Sequence, residues 1–375
     1  MSNLGDHSEE TEFDPKSIYN PVHQKKLADE DRAREKSPGE ILRSDDGGFV
    51  FGCNRFDGVY IKYTYGTEQL EEDLATFEST GTHLAKEDHE AVIRSAFISI
   101  LEEYGKFFDD SVIQRIFPGI NIKDLQSYDY LANSRIKIFV LGQEGYVEFM
   151  RSRFAGTKGS EVSRPSVGVN SSSKLFGVRN SHDGLYGSSP VYSELTCVDS
   201  DRDIIVLNET GGFPYSPSPF SEQNKKYARK SLIDAARHEI LHSFSAGYGF
   251  PIEVLEGIVE FYSIHADGSK GKNLQINTIF NPGLALVSKV VTLCARMGLQ
   301  EDEICKALLT SDPSISKKVV GAVKRAMGKE FASDFFIRGF AYKKDAISDA
   351  IRKLDITLQY KHTSVVLSRR GYNWV

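Results

Sequence analysis

No stretch of this chain approaches the ~20 consecutive apolar residues that a membrane-spanning helix needs. The most apolar region, Gly283 to Leu299, is broken by Ser288, Lys289 and Arg296 and reads as an amphipathic helix. The four cysteines, Cys53, Cys197, Cys294 and Cys305, lie far apart with no Cys-x-x-Cys pair. That spacing argues against a cysteine-type structural zinc site, and four cysteines in 375 residues do not make a disulfide scaffold. An excess of basic charge is missing too. The net charge is −6, which argues against nucleic acid as the default partner. There is no Gly-x-x-x-x-Gly-Lys-(Ser/Thr) loop, no Gly-x-Gly-x-x-Gly after a strand and no Gly-x-Ser-x-Gly elbow. The opening residues, MSNLGDHSEETEFDPKSIYN, have neither a basic start nor an apolar core, so a secretory signal is not expected. The expectation is a soluble cytoplasmic protein with no membrane partner, with non-classical export left open.

What is present is an ordinary globular balance, 40% hydrophobic and 26% charged, enough for a buried core. Residues 1–46 are polar and charge-rich and read as a disordered tail. Phe49 to Phe51 and Val59 to Tyr63 read as two strands around a turn at Asn54 to Gly58. Helical spacing follows over 67–79 and 86–108, with Val92, Ala96, Ile100 and Tyr104 on one face. Ile136 to Leu141 is a strand, with a helix expected from Tyr146 to Phe154. Residues 155–190 are rich in Gly and Ser and read as a long surface loop, either a lid or a plain insertion. Ile204 to Leu207 is a short strand. Beyond about 270 the pattern is mainly helical, with a last strand expected near Thr357 to Leu367.

One segment carries chemistry. Ala235 to Phe244 contains His238-Glu239-Ile240-Leu241-His242, a His-Glu-x-x-His pattern. On a helix, positions i and i+4 share a face, so two imidazoles at this spacing can hold one zinc ion. The intervening Glu239 then reaches a water beside the metal as general base. A chance match in a chain of this composition is on the order of one in a hundred, so the surroundings decide. Residues 222–246 contain no Pro or Gly, and Gly247 is a natural stop. On a helical wheel at ~100° per residue, Ile233, Ile240, Leu241 and Phe244 cluster around ~200–300°, whereas the histidines lie at ~0–40°. One side of the helix therefore faces a core, and the histidines are expected to line an open space. Lys225, Lys226, Arg229 and Lys230 read as its solvated start.

A third ligand follows shortly. After Gly247-Tyr248-Gly249-Phe250-Pro251, a second helix carries Glu256 and, one turn on, Glu260. Glu256 can return to the metal, and Glu260 can accept the outer N–H of a ligand histidine. The alternative is a solvated acidic face. Leu255, Ile258, Val259 and Phe261 crowd the same helix, and a buried carboxylate needs a partner.

His-Glu-x-x-His followed by Glu256-Gly257-x-x-Glu260-Phe261 resembles the gluzincins, the thermolysin-like and aminopeptidase-like zinc peptidases, and most closely the small peptidase-MA-type domains. The resemblance covers about residues 48–265 and is specific at the motif. It departs from the family where Val254-Leu255 replaces a Trp often found before the Glu-Gly. It implies zinc ligands His238, His242 and Glu256, a base at Glu239, a supporting acid at Glu260 and an edge strand at 204–207. An oxyanion donor cannot be assigned; Tyr262, His265, Tyr248 and Tyr342 are the candidates. The fold expected is α+β: a zincin-like domain over 47–272, with a small twisted sheet above the active-site helix, then a mainly helical region over 273–375. The function expected is a monomeric metallopeptidase with one Zn2+ per chain, acting on a peptide or protein. Three protein ligands leave an open position, the catalytic pattern. Two other readings share the motif, a catalytically silent zincin scaffold serving as an interaction module and an effector or toxin peptidase.

Overall fold

A computed structural model describes residues 40–42, 48–51, 54–57, 59–78, 81–142, 144–146, 149, 168–170, 176–180, 191–198, 203–209, 222–245, 250–266, 282–310, 313–340 and 346–369. Most of the expected tail and of the helix expected from Tyr146 to Phe154 lies outside them, as do Tyr248 and Tyr342.

The chain begins with strands β1 (Glu40–Leu42), β2 (Gly48–Phe51), β3 (Asn54–Asp57) and β4 (Val59–Gly66). The expected turn at Asn54 is instead β3, which pairs antiparallel with β2 from Phe51↔Asn54 to Gly48↔Asp57. Helices α1 (Thr67–Phe77), α2 (Lys86–Tyr104), α3 (Asp110–Ile116) and α4 (Tyr130–Asn133) follow. Then come β5 (Ile136–Leu141), β6 (Gly168–Asn170), β7 (Phe176–Asn180), β8 (Val191–Val198) and β9 (Asp203–Asn208). Segment 155–190, expected as a loop, thus contributes β6 and β7.

Two sheets with parallel pairs result. In one, the order is β1-β4-β8-β7, with β4 parallel to β8. In the other, the order is β5-β9-β6. Here β5 and β9 run parallel from Ile136↔Asp203 to Leu141↔Asn208, and β6 lies antiparallel on the far side of β9. Residues 204–207 are therefore central and not an edge, because three residues of the Gly/Ser-rich segment add the outer strand. Centrality explains their composition. Ile204, Ile205, Val206 and Leu207 are all fully buried, the continuous apolar run of a strand covered on both faces.

The remaining described elements are helices: α5 (Glu222–Ser245), α6 (Ile252–His265), α7 (Pro282–Arg296), α8 (Glu301–Thr310), α9 (Pro313–Met327), α10 (Lys329–Ser333) and α11 (Ala346–Arg369), with a π turn at Asp334–Arg338. The fold is thus mainly helical with small sheets, in keeping with an α+β class. The strand expected at Thr357 to Leu367 is helical. Ala350, Leu354 and Leu358 repeat every four residues and are buried in the core, which fixes the helical period here. Arg296 donates to the Leu358 carbonyl at 2.6 Å, and Lys289 pairs with Asp355, tying α11 to α7.

Helix α5 is placed by its apolar side. Leu232, Ala236, Ile240 and Leu241 are fully buried, each large one worth about 1.5–3 kcal/mol of burial. The Phe244 ring stacks on Phe108 at 4.4 Å and lies 5.9 Å from Phe117. Arg237, itself buried, donates from Nε to the Ser99 hydroxyl of α2 at 3.0 Å. The basic start is solvated as expected, with Arg229 paired to Asp88 at 2.9 Å. No helix among the described residues is long and apolar enough to cross a membrane.

Candidate metal centre

Helix α5 brings His238 and His242 one turn apart, and α6 returns across them. Pro251 occupies the N-cap of α6 with an extended ψ of 142°, and its carbonyl receives the N–H groups of Val254 and Leu255 at 2.9 and 2.8 Å. The other side of α6 fixes it in depth. Val254, Ile258 and Val259 are fully buried, and the Tyr104 hydroxyl donates to the Tyr262 carbonyl at 2.8 Å.

Three donors converge as a result. His238 Nε2 and His242 Nε2 are 3.1 Å apart. Glu256 Oε2 lies 3.2 Å from His238 Nε2, and Glu256 Oε1 lies 3.4 Å from His242 Nε2. A tetrahedral ion with ligands at about 2.0–2.1 Å has donor–donor edges of about 3.3–3.4 Å. The three contacts are of that order, with His238 and His242 meeting different oxygens of the Glu256 carboxylate, and one ligand atom from each residue gives a set within 4.8 Å. Behind them, His238 Nδ1 is 2.9 Å from Glu260 Oε2. An ionised carboxylate only accepts, so this contact puts the proton on Nδ1 and turns the Nε2 lone pair toward His242 and Glu256. Lone pairs then meet lone pairs, and a proton or a metal cation must sit among them. The donor set suits a divalent ion of the zinc type.

The electrostatics express the same crowding. Burial opposes charging of His238, but hydrogen bonds and attraction from Glu256 and Glu260 outweigh it, holding its imidazole well above the usual histidine range. Burial also works against ionisation of Glu256 and Glu260. The imidazoles of His242 and His238 prevail and hold Glu256 well below the usual carboxylate range, and Glu260 is lowered mainly by its bond to His238. Glu239 behaves in the opposite way. Burial raises its pKa despite the two histidines, and Glu256 and Glu260 add to the rise. A carboxyl raised toward neutrality beside a metal site is suited to proton transfer.

The open face expected beside the histidines is roofed by α6. His242 side chain is only 3% exposed and His238 12%, whereas Glu256 keeps 39% and Glu260 32%. Solvent therefore reaches the cluster along the carboxylates of α6. His238, His242, Glu256, Glu260 and Glu239 are brought together. Tyr262 and His265 are not. Tyr262 is buried with its ring against Tyr104 at 5.5 Å, on the side of α6 that meets Cys294 and Cys305. Nine residues separate His265 from Glu256, half a turn around the helix. Its Nδ1 lies 2.6 Å from the Phe261 carbonyl and its ring rests on Phe261. Spacing reasoning also passed over Gly257. Its sequence signal was a glycine in a helix interior, which costs about 1 kcal/mol against Ala and calls for a packing reason. That reason is α7: a Cβ on Gly257 would lie 2.4 Å from the Gly283 carbonyl oxygen.

No family model, no curated protein and no solved structure matches this chain.

Proposed function

We propose that this chain is a zinc-dependent peptidase of gluzincin type, with a zincin-like catalytic domain and one zinc per chain. The observation that carries the reading is the convergence of His238, His242 and Glu256, whose ligand atoms, one from each residue, all lie within 4.8 Å of one another, with Glu239 on the adjoining turn. Those three residues would hold the ion, and Glu260 orients His238. When bound, zinc supplies a Lewis acid and lowers the pKa of water to about 7. Glu239 accepts the water's proton and delivers it to the leaving amine. Its raised pKa makes it a stronger proton acceptor than an ordinary carboxylate. The half-open carboxylate side of α6 is the approach for water and substrate.

A peptide or protein substrate is supported by the sheet. Among the described residues, strand β6 lies at its edge and packs beside α5. An extended peptide can add to such an edge through main-chain hydrogen bonds. A silent scaffold would have no use for the buried carboxyl of Glu239, whose desolvation is a standing cost.

Elemental analysis of the purified chain tests the proposal. About one zinc per chain is expected from a three-ligand site, and His238→Ala/His242→Ala should remove it. Equal zinc in the wild type and the double variant would sink the reading. A peptide-library screen with and without chelator then separates peptidase from scaffold.

A further inference from the structure

We propose that the crossing of α6 and α7 at Gly257 is the gauge that sets where Glu256 meets the histidines, making Gly257 and Val287 positioning residues for the metal site. The inference rests on the metal-site reading above.

Gly257 follows Glu256 directly on α6, so the backbone that carries the carboxylate is the backbone that touches α7. The approach is close. A Cβ at position 257 would sit 2.4 Å from the Gly283 carbonyl oxygen, 2.5 Å from its carbonyl carbon and 3.0 Å from Val287 Cγ2. The first two are main-chain atoms of a helix and cannot swing aside. Restoring an ordinary contact of about 3.4 Å requires a shift of about 1 Å between the helices. A zinc site tolerates ligand displacements of about ±0.2 Å. The shift needed is several times that tolerance. Helix α5 has anchors of its own, Phe244 on Phe108 and Arg237 on Ser99, besides sharing α2 with α6, which Tyr104 reaches at the Tyr262 carbonyl. A side chain at 257 is therefore expected to move Glu256 relative to the two histidines.

Val287 permits the same question to be asked from the other helix. It is fully buried on α7 against this crossing. Val287→Ile adds a methyl group there and acts as a mild wedge. Val287→Ala removes volume, weakens packing and introduces no wedge. A role in stability alone predicts that both variants follow their melting temperatures. A positioning role separates them.

The experiment uses the full chain in four forms: wild type, Gly257→Ala, Val287→Ile and Val287→Ala. Zinc affinity is measured by competition with a chromophoric chelator. Cobalt(II) in place of zinc gives visible bands whose intensity reports the four-coordinate geometry. Far-ultraviolet circular dichroism and melting of the metal-free chain report the fold. Gly257→Ala should weaken zinc about 10–100-fold, in the range of changes to groups that support ligands, and dim the cobalt bands while keeping helix content. Val287→Ile should do the same to a smaller degree. Val287→Ala should melt lower yet bind zinc within about twofold of wild type once folded, since no ligand is displaced. If Gly257→Ala does not fold, the contrast between the two Val287 variants decides. Zinc affinity that tracks melting temperature across the set, or wild-type affinity in both wedge variants, overturns the inference and leaves the metal site standing. A wild type that binds no zinc overturns the metal-site reading and this inference with it.

Discussion

Two histidine–glutamate contacts of nearly equal length lie in different parts of this molecule. His89 meets Glu209 at 2.8 Å where α2 joins the end of β9, and His238 meets Glu260 at 2.9 Å between α5 and α6. At the first, one fully buried carboxylate receives three donors: the N–H of His83 at 2.6 Å, the N–H of Leu84 at 2.8 Å and the His89 ring. Donors and acceptor balance, and the carboxylate pins the turn before α2 to the sheet. At the second, two partly open carboxylates and a second imidazole crowd one histidine, and acceptors outnumber protons. The pair alone does not distinguish structure from chemistry; the donor count around it does.

The sharpest way to test the chemical half of that contrast is Glu239→Gln. It keeps size and hydrogen-bonding shape but cannot take a proton. Turnover should fall by about 10²–10⁴-fold or more, as for other general bases, while bound zinc and the melting curve stay near wild type. Wild-type turnover of a chelator-sensitive substrate would remove Glu239 from the mechanism.

Glu209→Ala addresses the structural half. It removes the acceptor from three donors, two of them buried, and each buried one costs about 1–3 kcal/mol. Urea denaturation should register a loss of roughly 2 kcal/mol or more, whereas zinc per folded chain should not change. Loss of zinc at full stability would mean that this pair, too, serves the metal.

A smaller effect is expected from Glu260→Gln, which keeps a hydrogen-bond acceptor for His238 but removes its charge. Zinc affinity should drop about 10–100-fold, with the fold intact. An unchanged affinity would make Glu260 no more than a solvated acid.

The mildest probe is pH. In the metal-free chain His238 holds its proton above the ordinary histidine range, while Glu256 and Glu260 stay ionised below the ordinary carboxylate range. The stability from the raised histidine is fully present below its unfolded value of 6.5 and is lost as pH rises through the folded value. That from the lowered carboxylates is present above 4.5 and is lost as pH falls through their folded values. Zinc must displace the His238 proton, so its binding strengthens as pH rises. The zinc-induced gain in Tm should be larger at about pH 8 than at about pH 5.5. The opposite slope would show that no proton is displaced from the site.

Much of the site could be read along the chain because it is local. His238 and His242 stand one turn apart on any α-helix, and Glu239 must point beside them, since 3.6 residues per turn dictates it. The helix itself was legible from an uninterrupted run ending at Gly247, and α6 from Pro251 and the apolar residues around Glu256. The strands Ile136–Leu141 and Asp203–Asn208 announced themselves by composition. What depends on distant partners was not legible. Tyr262 stood among the oxyanion candidates, yet its ring belongs to the Tyr104 side of α6. A strand was expected at 357–367, but that segment continues the helix packed on α7. Residues 204–207 became central only because 168–170 pair with them. The histidine face looked open until α6 covered it, at a depth limited by the missing Cβ of Gly257. Helical geometry is fixed by the backbone of a few neighbouring residues and is therefore written in the sequence. The separation of α5 from α6, which brings the donors together, is set by side-chain volumes on helices far apart in the chain, and only packing decides it.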